Sequence, residues 1–430
     1  MNRRRWLETA AWAAAAAISG IGRAAPNART RAARRVLIAG GGFAGAACAL
    51  ELRRLDAGID VCLIDPIDPY VTCPMSNEVI IGARAMASIT VSRAGLERAG
   101  VRCIAARVAR IDAANRRAYL AGGGALPYDR LVAAPGIRLL THRLLGYDAG
   151  TSQRMPHAWQ AGEQTARLAA QLRAMPEGGV VAISVPAGLI RCPPAPYERA
   201  SLMAHYLKRH KPRAKLLILD ANNSFPKQPL FTDAWQRLYA GLIEWIPMTQ
   251  DGAVQRVDAR TMTLFTAGSA HRVDVANLIP PQAPGELAPA SGLSSDHGWC
   301  PIDPRTFEST LRPLVHVIGD ACIADAMPKS ASAALSQARQ CARAIAALLS
   351  GREMPEPVFE SICYARVSPE WALAIPGRFA ISDGRILAAT EPATAASTAA
   401  PTIIEPGAAA AAALDAERWY TEIRAQSFAL

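Results

Sequence analysis

The stretch that constrains this chain most is a short apolar run, Val36-Leu37-Ile38-Ala39, leading directly into Gly40-Gly41-Gly42-Phe43-Ala44-Gly45. A helical pattern follows to about Leu55, and a second apolar run, Val61-Cys62-Leu63-Ile64, ends on Asp65. Gly40, Gly42 and Gly45 meet three needs of a dinucleotide turn: a tight bend, close backbone approach to a pyrophosphate, and close helix–strand packing. The helix that starts there offers its free N–H groups to phosphate. Asp65 lies 20 residues after Gly45, where a carboxylate accepts from a ribose hydroxyl. A glycine triplet alone says little. Strand before, helix after and acid at the right distance make it a nucleotide turn.

Two further segments indicate which dinucleotide. Val315 to Ile318 reads as a strand running into Gly319-Asp320, with a helix from about Ser332. A lone Gly-Asp is more often a simple turn. Between it and the first turn lies Tyr128-Asp129-Arg130-Leu131-Val132-Ala133-Ala134-Pro135-Gly136, a strand ending where the chain leaves the first domain. Three such elements in this order point to FAD, with Asp320 placed for a ribityl chain. A second nucleotide fold is expected near Gly178, and Val180 to Ile183 has strand character. The loop after it, Ser184 to Pro194, has no glycine finger, and Pro193 and Pro194 remove N–H donors that a pyrophosphate would need. No NAD(P)H is expected there.

Of the 430 residues 51% are apolar and 19% charged, enough for a large core and unlike a disordered chain. No uncharged apolar run reaches the roughly 18 residues of a membrane span, so an integral membrane protein is not expected. Asn2-Arg3-Arg4-Arg5-Trp6-Leu7, an alanine-rich stretch and Gly22-Arg23-Ala24-Ala25 have the form of a twin-arginine export leader over residues 1–25. The alternative, an amphipathic surface helix, has little apolar area behind it. Without the leader, 43 basic residues face 35 acidic ones, a net charge of +8. That is a mild bias, with no basic run interleaved with aromatics to suggest nucleic acid. The nine cysteines form no Cys-X-X-Cys pair and no haem-attachment motif, and no metal site is expected. Cys48, Cys62, Cys103 and Cys341 sit in helix or strand patterns and read as small buried hydrophobes.

Five segments carry a family resemblance: Thr72-Cys73-Pro74-Met75-Ser76-Asn77-Glu78-Val79, Pro156 to Thr165, Arg191-Cys192-Pro193-Pro194-Ala195-Pro196-Tyr197-Glu198-Arg199-Ala200, Gly298-Trp299-Cys300-Pro301, and Val317 to Ala324. Through them the chain resembles the two-dinucleotide-binding-domain flavoproteins, and within these the flavoprotein subunits of flavocytochrome c sulfide dehydrogenases, over nearly all of Arg35 to Phe359. The resemblance implies an α/β fold of two Rossmann-like, glutathione-reductase-like domains plus a C-terminal interface domain. The expected division is 35–150 and 286–350 for the FAD-binding domain, 151–285 for the second domain and 351–430 for the C-terminal one.

The resemblance also implies that Cys73 attaches FAD covalently. It makes Cys192 and Cys363 a redox-active pair beside the flavin. Hydrosulfide would attack one sulfur of their disulfide, leaving a persulfide and freeing the other thiolate to pass electrons inward. A lone loop cysteine is more often inert, but the prolines after Cys192 fix an irregular backbone that a core cysteine does not need. Glu198 is an acid/base candidate, or else an ion-pair partner of an arginine or a first-turn helix carboxylate. The implied enzyme is a periplasmic sulfide dehydrogenase whose electron acceptor is a c-type cytochrome subunit. Alternatives are a sulfide:quinone oxidoreductase, a flavoprotein that reactivates a thiol sulfur carrier, and a flavin-binding scaffold without turnover. Departures from the family lie at Pro328 to Gln337, richer in alanine, where a shifted redox potential is expected. Ala393 to Ala413 reads as a flexible linker, after which Trp419, Tyr420, Ile423 and Phe428 resume an aromatic C-terminal helix.

Overall fold

The computed structural model describes residues 34–296, 298–354, 356–389 and 403–430; the export leader expected at 1–25 lies outside them. The strand Arg34–Ala39 enters the glycine turn and continues into the helix Phe43–Leu55, then the strand Ile59–Ile64. These strands lie in a five-stranded parallel sheet ordered Val315–Val317, Arg130–Ala133, Arg34–Ala39, Ile59–Ile64, Arg102–Ile104. Their β-branched and leucine residues are almost wholly buried, as expected for a sheet covered on both faces.

A second parallel sheet, ordered Ile243–Ile246, Lys215–Asp220, Val180–Val185, Val275–Leu278, is built from the middle of the chain. The chain leaves and re-enters the first half along an antiparallel ribbon, Ile137–Leu139 against Gln282–Pro284. At that crossing Gly285 N donates to Gly136 O at 2.9 Å. A Cβ on Gly285 would lie 2.4 Å from Pro135 O, so only glycine lets the two strands of chain pass. After the long helix Ala331–Ser350 comes an antiparallel sheet of Phe359–Arg366, Ala372–Ser382 and Arg385–Ala388.

Two expectations need correction. Pro406 to Ala413, read as the end of a linker, forms the first turns of a helix spanning Pro406–Phe428. Alanine is the best helix former, and here Ala409, Ala412, Ala413 and Ala416 also bury themselves; residues 393–402 of that stretch lie outside the described ones. Cys103 is half-buried rather than buried, because its strand is the last in the first sheet. Cys48, Cys62 and Cys341 are fully buried. The C-terminal helix folds back on the first half: the Phe428 ring packs edge-on against Phe43 at 5.2 Å and lies 5.8 Å from Tyr70. No helix among the described residues is long and apolar enough to cross a membrane.

Candidate functional site

One cleft, partly open to solvent, gathers residues from the first, middle and last thirds of the chain. The glycine turn forms one end. Gly40 has φ +114°, and a Cβ there would lie 2.2 Å from Ala134 O; one on Gly45 would lie 1.8 Å from Gly40 O. These two glycines let the turn fold against its own sheet. Gly42 instead faces the cleft, with Tyr70 Oη at 3.7 Å as its nearest neighbour, and Gly136 meets nothing within 4 Å. That is an open cradle. Asp65 flanks it, accepting from Gly41 N at 2.6 Å and Ile67 N at 2.7 Å. Gly319, at φ +76°, and Asp320 lie across the cleft. Burial raises the proton affinity of Asp320, while the nearby Arg191 and Lys329 charges pull it back. Pro135 stands behind Gly136 against Gly285.

Cys73, Cys192, Glu198 and Cys363 line the same cleft. The Cys73 thiol points toward Trp159 O at 3.9 Å. Cys192 holds a left-handed backbone, φ +51°, which costs a non-glycine residue about 1 kcal/mol. It is kept there by hydrogen bonds from its N to Lys329 O (2.7 Å) and from Ala195 N to its O (2.9 Å). Pro194 then opens the helix Ala195–His210, placing Glu198 in the first turn. Cys363 lies in the strand Phe359–Arg366, and both cysteines are free thiols. Burial pushes the Cys192 thiol well above its ordinary range, with charge on Cys363 and Glu198 adding to the effect. Burial also raises Cys363, while a hydrogen bond with Ser330 pulls it down. In both thiols burial thus favours the protonated form. Glu198 is raised as well: burial pushes its carboxyl up to about 7, against hydrogen bonds from Arg366 N and Asn77. Both carboxylate oxygens are held, Oε1 by Arg366 N at 3.0 Å and Oε2 by Asn77 Nδ2 at 2.9 Å. Of the two structural alternatives, the first-turn position is the one observed.

The serines within Pro328 to Gln337 take roles that the sequence reading did not assign to them. Ser330 caps the helix Ala331–Ser350, its Oγ accepting from Ala333 N at 3.2 Å, and this helix aims its positive end into the cleft. Ser332 Oγ and Ser336 Oγ accept from Ile362 N (3.0 Å) and Glu360 N (3.2 Å), clamping the Cys363 strand to the helix. Serines at i and i+4 on an alanine-rich helix were the available signal. Tyr420 Oη lies 2.7 Å from Thr72 Oγ1, beside Cys73, and Trp419 lines the cleft. A flavin adenine dinucleotide fits this donor set: an open glycine turn, a half-buried carboxyl near Arg191 and Lys329, and cysteine thiols, gathered at one cleft.

The family model of the sulfide dehydrogenase [flavocytochrome c] flavoprotein chain, central part, matches residues 165–280, and that of the pyridine nucleotide-disulphide oxidoreductases matches 34–172. The chain is 52% identical over 46 residues to the sulfide dehydrogenase [flavocytochrome c] flavoprotein chain of Chlorobaculum thiosulfatiphilum, covering 11% of this chain and 96% of that sequence. It is 22% identical over 316 residues to the mitochondrial sulfide:quinone oxidoreductase of Mus musculus, 70% of this chain and 68% of that one. Among solved structures, the sulfide:quinone oxidoreductase of Aquifex aeolicus shares the fold with a TM-score of 0.67 at 18% identity, over 93% of each chain. Putidaredoxin reductase, in its covalent complex with putidaredoxin, shares it at 0.63 and 20% identity, over 80% of this chain and 81% of that one. With this fold and these matches, the chain belongs to the family of the flavoprotein chains of flavocytochrome c sulfide dehydrogenase, FAD-dependent oxidoreductases related to sulfide:quinone oxidoreductase.

Proposed function

We propose that this chain oxidises sulfide at the Cys192/Cys363 pair and hands the electrons to a c-type cytochrome subunit in the periplasm. The observation that carries this reading is the single cleft in which the glycine turn, Cys73, Asp320, both cysteines and Glu198 meet. FAD would be held by the turn at Gly40, Gly42 and Gly45, by Asp65, Pro135, Gly136, Gly319 and Asp320, and covalently by Cys73; when bound it supplies a two-electron acceptor that can be emptied one electron at a time. The protein's own work is at sulfur. Hydrosulfide forms a bond to one sulfur of the oxidised pair as the Cys192–Cys363 bond breaks, leaving a persulfide on one cysteine and a thiolate on the other. Glu198 accepts and returns the proton that this exchange moves.

Two observations bear on the electron donor and acceptor. Asp220, where a second nucleotide fold would present its ribose carboxylate, is fully buried and accepts from Tyr197 Oη (2.7 Å) and Trp245 Nε1 (2.9 Å). Tyr197 stacks on Phe225 at 3.7 Å, so aromatic core occupies the region and disfavours a nicotinamide. A quinone acceptor is the second reading, favoured by the two sulfide:quinone oxidoreductase relatives. Against it, the C-terminal helix packs Tyr420, Ile423 and Phe428 into the protein, so these side chains are not offered to a membrane. Anaerobic addition of sulfide, and separately of NADH, to the purified chain tests the proposal by flavin absorbance. Rapid bleaching by sulfide alone is expected. No response to sulfide would favour reactivation of a sulfur carrier, and bleaching by NADH would reopen the second domain as a donor site.

A further inference from the structure

Two arginines and two glutamates beside the cleft take no part in the chemistry above. Arg366 ends the Cys363 strand with its side chain only 5% exposed; its Nε lies 2.6 Å from Glu78 and its Nη2 2.6 Å from Glu417. Arg84 makes the same pair of contacts, at 2.6 Å to Glu78 and 2.5 Å to Glu417. Arg366 also donates to Pro369 O at 2.6 Å and to Ala413 O of the C-terminal helix at 3.2 Å. Buried ion clusters are a poor source of stability, because desolvation offsets much of their attraction. Their placement is more informative. Glu78 follows Asn77 in the short helix Ser76–Ile80, and Asn77 holds one oxygen of Glu198. Arg366 supplies the backbone N–H that holds the other. The Glu78–Arg366 pair thus joins the two elements that grip Glu198, and Glu417 ties that junction to the C-terminal helix.

We infer that Glu78 and Arg366 are positioning residues that hold Glu198 in place in the cleft it shares with the two cysteines, and that the C-terminal helix acts on this carboxyl through Glu417. The inference rests on the acid/base reading of Glu198 for its catalytic meaning, but not for its test. The charged and titratable groups facing Glu198 are Glu78 from the short helix, Arg366 from the strand, Arg199 along its own helix, and Cys192 and Cys363 across the cleft. Glu78 and Arg366 act on it with opposite sign: the first raises its proton affinity and the second lowers it.

The opposed signs give a test that a merely structural role does not pass. In the flavin-loaded protein, the infrared band of the protonated Glu198 carboxyl, identified by its loss in Glu198→Gln, is followed across neutral pH. Glu78→Gln should move its midpoint down and Arg366→Gln should move it up, each by about half a pH unit or more. Shifts of the same sign, or none in variants with wild-type circular dichroism, would overturn the inference. Should either buried variant fail to fold, Glu417→Gln, whose side chain is 47% exposed, leaves Arg366 less neutralised. A smaller downward shift is then expected, and an unmoved midpoint counts against the inference. The pH profile of sulfide bleaching in the same variants separates the two claims. A midpoint that moves while the profile stays fixed sinks the catalytic reading of Glu198 and keeps the clamp.

Discussion

The two halves of this molecule begin with the same construction, a parallel strand running into a turn, and use it in opposite ways. In the first half Gly40 and Gly45 fold the turn tightly against the sheet and Gly42 leaves an open face. Asp65, at the end of the next strand, stays beside that opening. In the second half the turn after Val180–Val185 ends in two prolines. Asp220, at the matching strand end, is turned inward onto Tyr197, Trp245 and, at 2.9 Å, Asn222 Nδ2. One half builds a cradle and the other builds core. The second turn still serves the site, because its left-handed Cys192 is delivered into the first half's cleft. Sheet geometry is shared between the halves, and the side chains of a few loop residues leave an open cradle at one and turn the matching carboxylate of the other into the core.

The comparison can be broken first at the sulfurs. Cys363→Ser should slow anaerobic bleaching of the flavin by sulfide by about a thousandfold or more, and a wild-type rate would end the disulfide mechanism. Cys73→Ser should release all yellow colour on acid precipitation, whereas colour kept in the pellet would show that another residue carries the link. Next come the turns. Gly45→Ala puts a methyl 1.8 Å from Gly40 O and should yield protein without flavin, while Gly188→Ala, with nothing within 4 Å, should cost only about 1 kcal/mol of backbone strain and keep the flavin spectrum. Equal flavin loss in the two variants would erase the distinction between the halves.

Glu198 provides a pH signature. Its folded-state proton affinity, about 7, exceeds the ordinary 4.5 of a glutamate. Its favourable share of stability is therefore complete below about pH 4.5 and is lost as pH rises through about 7. The melting temperature of wild type should fall relative to Glu198→Gln across that window, and parallel curves would mean that the carboxyl is not perturbed. The smallest expected effect is at the clamp. Ser332→Ala removes the acceptor for Ile362 N and should lower stability by about 1 kcal/mol, with a slower sulfide reaction if the Cys363 strand loosens.

How much of this was legible in the sequence followed from how local each signal is. The glycine turn, its strands and the Gly319-Asp320 turn were readable because left-handed backbone and close approach restrict residue choice within a few positions. The core of the strand Val180–Val185 was legible from apolar pattern. The C-terminal helix was misread at its start because an alanine run has the same composition in a helix and in a linker. What separates the two is a surface to pack on.

By itself, then, the sequence determined the two nucleotide folds, the cradle, the lack of a second glycine finger and the identity of the cysteines. Only the tertiary structure decided that Glu198 and Arg366, 168 residues apart, would meet, that the serines of one helix would clamp the Cys363 strand, and that Glu417 would reach back to Glu78's partner. Such contacts are chosen by burial and charge pairing between distant segments, and no local pattern records them, because each residue alone is at home on an ordinary surface.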